Sequence, residues 1–175
     1  MMRQSELIET ADTLAGLLEE LIVLQDALHG VVREKLEAMR RADVPAMEAL
    51  AAREGELAGQ VSTLDVRRRE VVATLCGLLD MPPVRDPGGV TLRALLTQME
   101  PSLRDRLSAL ADRLREKMLN VAGSNHIVEM VSRAMLETFK ELFSIMAHDD
   151  EQPTTYSATG QSSESGAVRV LDAVV

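Results

Sequence analysis

The sequence predicts an all-α protein, and three observations carry that prediction. Apolar residues make up 46% of the 175-residue chain, yet aromatics supply only 2%, with Phe139, Phe143 and Tyr156 standing alone and no Trp. Strands draw on aromatic and β-branched residues, whereas Leu, Ala, Glu, Arg and Met are strong helix formers. Apolar residues also recur at steps of three and four over long stretches, the period of a helix face. Finally, three of the six prolines and two glycines crowd into one stretch, "DMPPVRDPGG", which marks a loop between helical segments. The expected architecture is an elongated, coiled-coil-like antiparallel helical hairpin or bundle. A short helix follows a Pro-rich loop, then a long C-terminal helix and a disordered C-terminal tail. Residues 1–147 form the helical domain in this reading, and residues 148–175 form a flexible acidic and polar tail with an apolar terminus.

The first helix is expected from Ser5 to about Arg41 on a seam of Leu7, Ala11, Leu14, Leu18, Leu21, Leu28, Val32, Leu36 and Met39. Gln25 alone interrupts it, while Leu17, Ile22 and Leu24 widen it. At 1.5 Å per residue such a helix is roughly 55 Å long. In "RRADVPAM", Asp43 can cap the next helix, and Pro45 is tolerated in a first turn where its missing N–H has no intrahelical role. The second helix then runs to about Leu79 on Met47, Leu50, Leu57, Val61, Leu64, Val71, Leu75 and Leu78. Glu54 and Arg68 fall on the same seam, and polar seam positions fix register at some cost in stability. A connection this short folds the pair back as an antiparallel hairpin.

"DMPPVRDPGG", Asp80 to Gly89, ends the second helix. Thr91 is a candidate N-cap for the short helix "LRALLTQM", and Pro101 marks a fresh start. The segment that follows uses Leu103, Leu107, Leu110, Leu114, Met118 and Val121 down to "AGSN". Gly123 either breaks the helix there or lies inside it, since one glycine costs only about 1 kcal/mol relative to Ala. A break would make caps of Asn120 and Asn125.

Beyond Gly123, Val128, Val131, Met135, Phe139, Leu142 and Met146 form one stripe, flanked by Leu136 and Phe143 on one side and Ile127 and Ile145 on the other. The apolar arc is about 180° wide, where a single buried face needs only about 100°. His126, Glu129, Arg133, Glu137, Lys140 and Glu141 take the opposite side. Either the helix touches two neighbours in a bundle, or it offers a face to another protein's amphipathic helix, a use that favours soft, adaptable methionine. From His148 the composition turns to Ser, Thr, Gln, Gly and acid, which cannot offset the entropy of ordering. The final "AVRVLDAVV" is apolar again, as a docking peptide or as an end without function.

Charge and composition exclude several classes. A net charge of −9 is wrong for general nucleic-acid binding, which needs clustered Lys and Arg. Arg67, Arg68 and Arg69 fan over about 200° of a helix rather than forming a patch. The one cysteine, Cys76, sits in "VVATLCGLL" and reads as a small buried hydrophobe. Neither a signal peptide nor a membrane span is expected, which makes the cytoplasm the default location. The sequence has no HExxH, CxxC, GxSxG or phosphate-loop pattern. Asp26 with His29 gives a single DxxH, read as an exposed polar pair rather than a ligand set, and His126 and His148 read as solvated. No enzyme activity, cofactor or metal is expected.

The order of elements resembles the FlgN-type flagellar export chaperones. The likeness runs from about Leu7 to Met146 and is carried by "LEELIVLQDALHGVVREKLEAMRRAD", "ALAAREGELAGQVSTLDVRRREVVATLCGLL" and "LRDRLSALADRLREKMLNVAGSNHIVEM". Within these, the resemblance rests on Leu50, Glu54 and Leu57, on the step from Leu64 to Arg68 ahead of Val71 and Leu75, on Thr91 with Leu92, and on the Asn120/Asn125 region. The sequence departs from the family pattern at "AGSN", where a glycine stands beside the expected Asn. The resemblance implies a cytoplasmic, non-enzymatic chaperone that binds the C-terminal helical region of hook-associated proteins and delivers them to the flagellar type III export machinery. Export apparatus components are further candidate partners. The resemblance puts the client-binding face on the last helix, at Val128, Val131, Met135, Phe139, Leu142, Phe143 and Met146. The alternative is a coiled-coil adaptor or self-assembling structural protein whose wide apolar face is used in a homodimer. A monomer or a weak dimer is the expected state.

Overall fold

A computed structural model of the chain describes residues 2–81 and 92–149. The chain divides into two units, Met1–Val131 and Ser132–Val175. The first holds α1 (Met2–Arg40), α2 (Val44–Leu78), α3 (Leu92–Leu96) and the beginning of α4 (Pro101–Asp149); the second holds the rest of α4. Every described element is helical, as the composition predicts. The expectations of a loop across residues 82–89, of a Thr91 cap and of a disordered tail over residues 150–175 fall outside the described residues.

Most of the α1 seam is buried as its spacing predicts: Ala11, Leu14, Leu18, Leu21, Leu28, Val32 and Met39 are inside, while Leu7 and Leu36 are half-buried. Gln25 is buried with them, and no buried side-chain nitrogen or oxygen among the described residues lacks a hydrogen-bond partner.

Both hairpin helices end in a Schellman motif. The Asp43 N–H donates to Ala38 O and the Ala42 N–H to Met39 O, each at 3.0 Å, with Ala42 in the left-handed region at φ 52°. At the end of α2 the Met81 N–H donates to Cys76 O at 3.0 Å and the Asp80 N–H to Gly77 O at 3.3 Å, with Asp80 at φ 50°. Met81 packs against the core there, supplying the apolar contact that accompanies such caps. Asp43 also starts α2: its carboxylate accepts the Ala46 N–H at 3.1 Å, with Pro45 in the first turn.

Two ion pairs mark the antiparallel register of the hairpin, the half-buried Lys35 with Glu54 and the exposed Arg3 with Asp80. Glu54 thus answers a cation on α1 from its place on the α2 seam. Two more place α4 beside α1 in the parallel sense, because Asp12 pairs with Arg106 and, further along both helices, Asp26 pairs with Lys117 at 2.7 Å. The core collects where four helices meet. Leu14 and Leu18 of α1, Leu75 and Cys76 of α2, Leu95 and Leu96 of α3, and Leu107 of α4 share one buried cluster. Burial pushes the Cys76 thiol above its ordinary pKa, consistent with a packing role.

Met118, expected on the α4 seam, stands 52% exposed. From Leu114 a step of three reaches Lys117 and a step of four reaches Met118, and both lead on to buried Val121 and Val128; the structure turns Lys117 inward and leaves Met118 out. Lys117 fits the seam because its stem packs while its ammonium reaches Asp26. The helix runs through Gly123 without a break, so Asn120 and Asn125 lie in its interior and cap nothing.

Candidate functional site

In the second unit α4 carries its apolar residues outward. Leu136, Phe139, Leu142, Phe143, Ile145 and Met146 are all exposed, Phe139 at 51% and Phe143 at 67%. The stretch is rich in Leu, Met, Glu, Lys and Ala, which hold a helix without tertiary support better than most residues. Its one β-branched polar residue, Thr138, donates its hydroxyl to Ala134 O at 3.0 Å. Phe139, Leu142, Phe143 and Met146 share one side of the helix, since steps of three and four return to the same face. Glu137, Lys140 and Glu141 are exposed as well. A contiguous band of large apolar side chains, bordered by charge, is the usual composition of a protein-binding surface.

The seven candidates from the sequence separate along the helix. Val128 is buried, Val131 and Met135 are half-buried, and Phe139, Leu142, Phe143 and Met146 are exposed. Leu136 and Ile145, read as flanks of the stripe, belong among the exposed residues.

Sequence reasoning missed a second feature, an open groove of about 650 Å³ between α1 and α2, lined by Val23, Leu24 and Leu64 together with Gly16, Glu19 and Glu20. Its signal was the unbroken run Leu21–Leu24. One helix face cannot bury four consecutive apolar residues, and Val23 is the one left out, at 66% exposure.

Asp26 of the DxxH pair and two arginines of the basic run are engaged in ion pairs. Asp26 holds Lys117. Arg68 and Arg69 of the basic run both bind Asp65. Burial alone would raise the Asp65 pKa, but hydrogen bonds and charge from the two guanidinium groups outweigh it and hold the carboxyl below its ordinary value. Among the described residues no group of three or more His, Cys, Asp or Glu is placed to hold a metal ion, and no helix is long and apolar enough to cross a membrane.

Comparison with known proteins agrees with the order of elements. A family model described as FlgN protein matches residues 1–164. Neither a curated protein nor a solved structure matches the chain. The family match takes in the hairpin, α3 and all of α4 in a single frame, and the chain therefore belongs to the FlgN family of flagellar export chaperones.

Proposed function

We propose that this chain is a cytoplasmic chaperone that binds the C-terminal helical segment of hook-associated proteins on the outward face of α4, keeps them unassembled and delivers them to the type III export machinery. The observation that carries the reading is the exposure of six large apolar side chains between Leu136 and Met146 on one helix. Export needs a client held apart from its own assembly partners, so its amphipathic helices must be covered reversibly. A helix face with two phenylalanines as anchors and methionine as an adaptable filler suits that task. Phe139, Leu142, Phe143 and Met146 form the centre of the proposed contact. Met135 and Val131 border it, and buried Val128 supports the helix from the core side.

The test is calorimetric titration of the C-terminal helical segment of a hook-associated protein into the full chain and into a Phe139→Asp/Leu142→Asp variant. Each large apolar side chain buried on binding contributes about 1.5–3 kcal/mol, so losing two should weaken binding by at least roughly a hundredfold. Helical circular dichroism should stay unchanged. A variant that loses its helicity along with binding would instead make these residues ordinary core. The same band also fits a second copy of the chain, which is the adaptor reading. A dimer that survives dilution in sedimentation and hides these side chains would favour it.

A further inference from the structure

We propose that the segment Ala167–Val175 of this chain docks on the exposed face of α4 in the same molecule and competes with the client for it. As regulation of the client site this rests on the function proposed above; the docking itself does not.

Four observations support the proposal. The face between Leu136 and Met146 is apolar and exposed. The segment reads "AVRVLDAVV", in which Val168, Leu171 and Val175 fall at steps of three and four, so a single helical turn or two would present them together. It also carries one base, Arg169, and one acid, Asp172, while α4 has Glu137, Glu141 and Lys140 exposed. Finally, the family match covers residues 1–164 and so ends ahead of the apolar segment.

The length of the connection names this occupant over others. Residues 150–166 join α4 to the segment, and a Ser/Thr/Gly-rich linker of that length has an end-to-end distance of roughly 20–25 Å. Leu142 lies only about 10 Å back along the helix from Asp149. A linker slightly longer than the span it must cover gives an effective concentration on the order of millimolar. Free copies at micromolar concentration are about a thousandfold more dilute, so the chain's own segment reaches the face first. Nine residues with three apolar anchors bind weakly in isolation. The face is therefore occupied part of the time, and the client's apparent affinity falls by the fraction left open, a several-fold effect rather than a block.

The test compares the full chain with a full-length Val168→Asp/Leu171→Asp variant by amide hydrogen exchange, without client and at two protein concentrations. Docking predicts several-fold faster exchange over residues 136–146 in the variant, unchanged exchange in α1 and α2, and protection in the parent chain that does not depend on dilution. Equal exchange in the two proteins overturns the proposal. So does protection that fades on dilution, because the face is then covered by a second copy. A client titration separates the two ideas: tighter binding of the client segment to the variant supports competition. Faster exchange with unaltered client affinity overturns competition and places the client elsewhere.

Discussion

Lys35 on α1 and Glu54 on α2 form an ion pair across the hairpin with side chains only 19% and 22% exposed, at a seam position where the helical spacing calls for an apolar residue. The pair costs desolvation at both ends, and it returns register. Removing one partner strands the other charge. Glu54→Leu alone should destabilise by about 2–3 kcal/mol, somewhat less than the roughly 3–5 kcal/mol of a fully buried pair. Lys35→Met with Glu54→Leu should recover most of that loss or exceed the parent. Urea unfolding of the two single variants and the double variant measures the coupling directly.

One helix supplies both a core and an exposed apolar face, and the two ends should respond oppositely to truncation. Leu107 is 1% exposed within the four-helix cluster, so Leu107→Ala should cost about 2–5 kcal/mol. Phe143→Ala should change stability by no more than about 0.5 kcal/mol, as exposed positions do. Thermal unfolding of the pair checks the contrast. A loss of several kcal/mol for Phe143→Ala would place that ring in a core.

Two backbone positions are occupied by the wrong small residue for their conformation. Ala42 sits in the left-handed region at the end of α1, where only glycine avoids a steric penalty, so Ala42→Gly should stabilise by roughly 0.5–1 kcal/mol. Gly123 lies inside α4, and a Cβ built there meets nothing within 4 Å. Gly123→Ala should therefore stabilise by about 0.5–1 kcal/mol. Alanine and glycine thus exchange roles between the two sites, and denaturant midpoints of the two variants should both rise.

Asp65 introduces a pH dependence. Its folded pKa lies below its ordinary 3.8 because Arg68 and Arg69 hold the ionised form. The unfolded chain therefore binds more protons between the two values, and stability rises with pH across that window. The contribution is complete above the ordinary value and is lost as pH falls through the folded one. Asp65→Asn should flatten the stability profile below about pH 4 and leave its shape at neutral pH unchanged. A profile of unaltered slope in the variant would show that other carboxylates set the acid limb.

Most of the fold was legible because it rests on local rules. The α1 seam, the Asp43 cap, Pro45 and the fresh start at Pro101 all follow from residues within a few positions of one another. What the sequence hid depends on partners distant in the chain. Met118 lost its seam place to Lys117, whose half-buried side chain pairs with Asp26 on another helix. Ala42 adopts a glycine conformation because the turn geometry demands it, which no alanine signals in advance. The arc beyond Gly123 was readable as too wide for one neighbour, but periodicity alone did not separate a residue buried by a second helix from one left in solvent. Val128 and Phe139 share a stripe, and only their surroundings differ.

The unbroken passage of α4 through Gly123 has a kinetic consequence. An isolated helix of the size of residues 132–149 is marginal in water, since its first turn must fix several residues for a single hydrogen bond. In α4 that nucleus already exists in the preceding turns, where Leu107, Val121 and Val128 are buried, so the exposed stretch only propagates. For the client proposed above, this face offers a backbone that is already ordered, so binding would freeze the partner's chain alone and release would not require α4 to unfold.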